Sequence, residues 1–111
     1  MDIRLESMPF QIGGKEYQLR CNYNVLADVQ EVYNGDMIAA LTGNPMKSVL
    51  VFLAAMLNDY ADEKGWSERF TAKGIGRMCN MNDIPMDKIM GLVVRSITPP
   101  ETSAAPEEPG N

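Results

Sequence analysis

Between Met8 and Cys21 the chain alternates. Met8, Phe10 and Ile12, then Tyr17, Leu19 and Cys21, are separated mostly by polar or small residues. A period of two buries one face of a strand and leaves the other wet. Gly13-Gly14 interrupts the alternation, and two such runs around a glycine turn predict a β-hairpin over about residues 8–21. A two-residue turn pairs Phe10 with Tyr17 and Met8 with Leu19. A four-residue turn over Gly13 to Glu16 pairs Ile12 with Tyr17, Phe10 with Leu19 and Met8 with Cys21. Both registers bury the same side chains.

The period then changes to that of a helix. Tyr23, Val25, Leu26, Val29, Val32 and Tyr33 form a stripe after a capping asparagine at Asn22 or Asn24. Asn34-Gly35 ends that helix, since both residues accept a left-handed backbone. Asp36 caps a short second helix carrying Met37, Ile38, Ala40 and Leu41, closed by Gly43. Asn44-Pro45 opens a third, because proline in a first turn loses no hydrogen bond. Met46, Val49, Leu50, Leu53, Met56, Leu57 and Tyr60 recur at spacings of three and four. Val51, Phe52, Ala54 and Ala55 widen the stripe, which predicts a central helix packed on several sides.

After Gly65, Trp66 to Phe70 reads as a connector. Thr71 caps a short helix with Ile75, Met78 and Cys79 inward. Gly74 and Gly76 inside it cost about 1 kcal/mol each relative to alanine, so either a neighbour packs close or the segment is weakly helical. A last helix starts near Asp83-Ile84-Pro85, with Met86, Ile89, Met90, Val93 and Ile97 on one side, and stops at Pro99-Pro100. The expected fold class is α+β: an N-terminal β-hairpin followed by about five short-to-medium α-helices in one compact, mainly helical domain over residues 1–98. Residues 99–111 hold small, acidic and proline residues, a composition that buries no core and is expected to be disordered.

Composition narrows the function. The 111 residues are 45% hydrophobic and 23% charged, an ordinary globular balance for one domain. Residues 1–98 carry ten basic and twelve acidic side chains, and the tail adds Glu101, Glu107 and Glu108. No basic face emerges, which argues against nucleic acid and anionic membranes as partners. The longest apolar stretch, Val49 to Leu57, falls short of the roughly 20 residues of a membrane span. Met1-Asp2-Ile3-Arg4-Leu5-Glu6 lacks the basic and apolar regions of a signal peptide, so a cytoplasmic location is expected. Cys21 and Cys79 are then expected as free thiols, Cys79 buried on its helical stripe.

Catalytic and metal chemistry find no foothold. Histidine is absent, which removes the commonest general base and the usual mixed zinc sets. Gly74-Ile75-Gly76 has no preceding strand and no third glycine, and Gly13-Gly14 belongs to the hairpin. Asp59, Asp62 and Glu63, like Asp83 and Asp87, read as solvated helix ends rather than paired catalytic carboxylates. The expectation is no enzyme, no cofactor and no metal. Thr71 to Met81 followed by Asp83 to Ile97 has the outline of a helix-turn-helix DNA reader. Its second helix offers only Lys88, Arg95 and Ser96 for that task, which leaves this as a lesser alternative.

Methionine stands out instead, at nine residues. Flexible thioethers fill irregular cores and also serve adaptable binding surfaces. Most fall on inward stripes, so core filling explains the majority. Met81, between Asn80 and Asn82, and Met78 are the methionine candidates for partner binding. Trp66 and Phe70, in a connector, are the aromatic ones, since aromatic anchors carry much interface energy.

Two segments carry a resemblance: Phe10-Gln11-Ile12-Gly13-Gly14-Lys15-Glu16-Tyr17-Gln18-Leu19-Arg20, and Tyr23-Asn24-Val25-Leu26-Ala27-Asp28-Val29-Gln30-Glu31-Val32-Tyr33. With Leu50 to Leu57 and Thr71 to Met78 following, residues 8–97 resemble the tail assembly chaperones of long-tailed bacteriophages and prophages. The likeness is one of layout and drifting signatures. It implies a non-catalytic protein of the host bacterial cytoplasm that self-associates and binds the tape-measure protein. Such proteins hold that client soluble until tail-tube subunits polymerise around it, and they are absent from the mature virion. A frameshift in many of these systems appends a domain that recruits tail-tube protein, and Thr98 to Asn111 sits where that junction falls. The alternatives are another phage or host protein–protein adaptor and the DNA-binding regulator.

Overall fold

A computed structural model describes residues 6–97, the side chain of Met81 excepted. The expected disordered tail, residues 99–111, lies outside the described residues. Strands β1 (Met8–Ile12) and β2 (Lys15–Leu19) form an antiparallel hairpin. Five helices follow: α1 (Tyr23–Val32), α2 (Met37–Thr42), α3 (Pro45–Lys64), α4 (Ala72–Met78) and α5 (Met86–Ile97). A single 3-10 turn over Met81–Asp83 separates the last two. The α+β class, the hairpin and the five helices are as expected.

The turn settles the hairpin register. Gly13 and Gly14 both hold positive φ, 61° and 78°, which a tight two-residue hairpin turn demands at both positions. Phe10 therefore faces Tyr17 and Met8 faces Leu19. Phe10, Ile12, Tyr17 and Leu19 are buried, while the alternate positions Pro9, Gln11 and Glu16 are exposed. One face of the hairpin is thus core.

Side-chain caps start the first four helices. Asn22 Oδ1 accepts from the Val25 N–H at 3.0 Å, Asp36 Oδ1 from Ala39 at 3.0 Å, and Thr71 Oγ1 from Gly74 at 2.9 Å. Asn44 Oδ1 accepts from both Met46 and Lys47 N–H groups, with Pro45 opening α3. Gly65, left-handed at φ 75°, closes α3, and the Trp66 N–H reaches back to the Ala61 carbonyl.

Helix α3 is the hub. Residues 51–57 are buried without interruption, and the helix contacts β2, α1, α2, α4 and α5. Val25 and Val29 of α1, Ala40 of α2, Ile75 of α4, and Ile89, Leu92 and Val93 of α5 complete the core. Each large apolar side chain fully buried in this way contributes about 1.5–3 kcal/mol. The one buried polar residue among those described, Ser48, has its hydroxyl 3.3 Å from that of Tyr33.

Several stripe positions fall elsewhere, Met46 among them. Tyr23 is 89% exposed. It precedes Val25 by two residues, about 200° around the helix, and so points away from α3. Val32 stays half open, bordering a depression between α1, α3 and α4 lined by Val32, Val51, Ala54 and Ala55. Met78, expected inward, is 54% exposed, since α4 seats only Ile75 fully in the core. Cys79 is half-buried and extended (φ −119°, ψ 143°), because the helix has already ended at Met78.

Candidate functional site

Three helices leave an apolar groove between them. Met46, Val49 and Leu50 form one wall from the start of α3, Gly76 and Cys79 a second from α4, and Ile84 and Met86 a third. Its volume is about 190 Å³. Cofactor and small-molecule pockets run to about 300–1,000 Å³, so the groove suits a side chain or two of a partner. Gly76 keeps its floor low: a Cβ there would meet Leu50 Cδ1 at 3.8 Å. Met46, 51% exposed, stands on the rim.

A second depression lies on the hairpin side, lined by Phe10, Ile12, Gly13, Met78 and Pro85 among others, and Cys79 borders both. Met78 leans toward the hairpin turn, its Cε about 4.0 Å from where a Gly13 Cβ would stand. Three exposed or half-exposed methionines, Met46, Met78 and Met86, thus surround the end of α4. The arrangement offers deformable thioether surface and no reacting group. Burial, with a smaller contribution from Asp83, raises the Cys79 thiol above its ordinary range, which makes it a poor nucleophile at neutral pH.

Trp66 and Phe70 lie elsewhere and do other work. Both are half-buried and meet the buried ring of Tyr17 edge-to-face, at centroid distances of 5.4 and 5.6 Å. Tyr60 of α3 joins them, 5.8 Å from both Tyr17 and Trp66. Lys15 caps Trp66 at 4.3 Å and pairs with Glu68, whose carboxyl that bond holds below its usual range. The connector is further clamped by Asn58, whose Nδ2 donates to the Phe70 carbonyl at 2.9 Å while its Oδ1 accepts from the Phe70 N–H at 2.7 Å. These aromatics tie hairpin, α3 and connector together.

Of the four residues singled out for partner binding, then, Trp66 and Phe70 share this node and Met78 stands beside the groove. Met81 has its backbone in the 3-10 turn at the same end of α4 as Met78, and its side chain is not among those described. Sequence reasoning missed Met46 and Met86 as groove residues, because both sit on helical stripes that also feed the core. The available signal was Gly76, a glycine within a helix against an apolar neighbour.

The opposite end of α3 is acidic. Asp59, Asp62 and Glu63 crowd its last turns, met by Arg20 on Glu63, Arg69 on Asp62, and Asn22 Nδ2 on Asp59 at 2.7 Å. Asp28 of α1 faces the same cluster. Burial first, then Glu31, Asp59 and Asp62, raise its carboxyl above the usual range. Among the described residues no group of three or more Cys, Asp or Glu is placed to hold a metal ion, and no helix is long and apolar enough to cross a membrane. Nothing matches this chain among family models, curated proteins or solved structures.

Proposed function

We propose that this protein is a tail assembly chaperone of a long-tailed bacteriophage or prophage, acting in the host cytoplasm to keep the tape-measure protein soluble. The observation that carries this reading is the methionine-bordered apolar groove at the junction of α3, α4 and α5. A long apolar helical client presents many similar but not identical side chains. A surface of flexible thioethers adapts to each at little cost in packing. The hairpin and α1, where the resemblance to the chaperones is densest, lie against the α3 hub and leave the groove open. Self-association multiplies such grooves along the client, and tail-tube protein displaces the chaperone before the virion is complete.

Co-expression tests it. A tape-measure protein from a long-tailed phage that precipitates alone is expected in the soluble fraction with this chain, in a complex that survives gel filtration. Met46→Glu with Met86→Glu, which puts charge on the groove walls, is expected to lose most of that solubilisation while the variant itself stays folded. Equal precipitation with and without the wild-type chain would overturn the reading.

A further inference from the structure

We infer that the groove takes the apolar face of an amphipathic partner helix whose flanks carry carboxylates, held by Lys73 and Arg77. This rests on the protein-binding reading above and deepens it by fixing the chemistry of the client segment. The described cations divide into three groups. Lys15, Arg20, Arg69 and Arg95 are engaged in ion pairs. Lys47 and Lys64 lie over the rings of Tyr33 and Tyr60. Lys73 and Arg77 on α4, with Lys88 on α5, have no partner among the described residues.

Two of those three free cations border the groove. Lys73, three residues before Gly76, is a surface neighbour of that lining residue, and Arg77, four residues after Lys73, shares its face of α4. Both are exposed. The carboxylates nearby belong to Asp83 and Asp87. Asp83 Oδ2 accepts from the Asn80 N–H at 2.8 Å, and Asp87 lies in the first turn of α5, where the helix dipole favours negative charge.

Spacing supplies the rest. Lys73 and Arg77 are separated by about 6 Å along the helix axis, the same rise that separates carboxylates four residues apart on a partner helix. An apolar slot for one or two anchors beside a pair of cations at that pitch matches a helix with leucine-like residues on one stripe and glutamates along its edge. Arginine adds a bidentate option toward one carboxylate.

The test uses three synthetic helical peptides of roughly 20 residues, enough to hold a helix. They share a leucine stripe and differ only in flanking residues: glutamate, glutamine or lysine. Titrated into the full isotopically labelled chain, the glutamate peptide is expected to move the amide signals of Gly76, Cys79 and Asn80. It should bind roughly tenfold tighter than the lysine peptide, an advantage that shrinks with added salt. Lys73→Glu with Arg77→Glu, both at exposed positions, should reverse the order of the peptides. Equal affinity for all three, shifts centred on the α1–α4 depression instead, or preference for phosphatidylglycerol vesicles over every peptide would overturn the inference. A chain that solubilises tape-measure protein yet shows no charge preference overturns this inference alone. One that prefers the acidic peptide but fails in co-expression overturns the chaperone reading alone.

Discussion

Asn58 holds the connector through hydrogen bonds that its aromatic residues cannot supply. Its amide satisfies both backbone groups of Phe70 in a half-buried setting, so Asn58→Ala strands a donor and an acceptor at once. A loss of about 1–3 kcal/mol is expected in chemical denaturation. Trp66→Ala removes the ring that packs on Tyr17 and Tyr60 and carries Lys15. Full burial of a tryptophan would put the loss near 3–5 kcal/mol; half-buried, about 2–3 kcal/mol is expected, read from the shift in the denaturation midpoint. A connector aromatic looks exposed in a linear reading because nothing nearby in the chain covers it. Much of its cover comes from Tyr17 of β2, with three helices between, and pairing over such distances leaves no local pattern.

Cys21, 2% exposed, has its thiol pushed up from 9.0 to about 11 by burial. The folded state keeps this proton after the unfolded chain has released it. Stability is therefore intact below pH 9 and falls as pH rises from about 9 to about 11, by on the order of 2 kcal/mol. Tyr17, also raised by burial, adds to the decline at the alkaline end. Urea midpoints compared at about pH 8 and about pH 10.5 should show the drop, and Cys21→Ala should make it shallower.

At the scale of elements, caps were the most legible feature. Asn22, Asp36, Asn44 and Thr71 each bond the helix they precede, because capping depends only on residues within one turn. Facing was less legible. Periodicity says which residues share a side, while the neighbours decide how much of that side is covered, and α4 is covered only at Ile75. Its two glycines separate cleanly. A Cβ on Gly76 meets Leu50 Cδ1 at an ordinary 3.8 Å, so Gly76→Ala is expected to raise stability by about 0.5–1 kcal/mol through helix propensity. A Cβ on Gly74 comes within 3.0 Å of Thr71 Oγ1, the atom capping that same residue, so Gly74→Ala should gain nothing. Thermal melts of the two variants side by side make the comparison.

Across the whole molecule, charge is sorted by end. Carboxylates crowd the C-terminal end of α3, where the helix dipole is already negative, while Lys73 and Arg77, two of the three unpaired cations among the described residues, lie on α4. Asp28 bears the cost of its surroundings: burial first, then the charges of Glu31, Asp59 and Asp62, disfavour its charged form. Asp28→Lys should raise the melting temperature at low salt, with the gain fading near about 1 M, where screening acts within roughly 3 Å. Net composition concealed this polarity, because the opposing charges nearly cancel outside the tail. The overall layout was legible from period changes and glycine turns; the groove was not, because its walls come from three separate helices.

The central position of α3 sets an order of events at the ribosome. The hairpin and α1 are synthesised first, yet both bury their apolar faces mainly on a helix that is complete only at Lys64. A lone two-stranded hairpin is marginal in water, and so is a short helix without a docking surface. The residues from the hairpin to Lys64 must therefore emerge as an unsettled, apolar-faced chain before they can settle on one another. For that interval, this protein is itself in need of protection from aggregation.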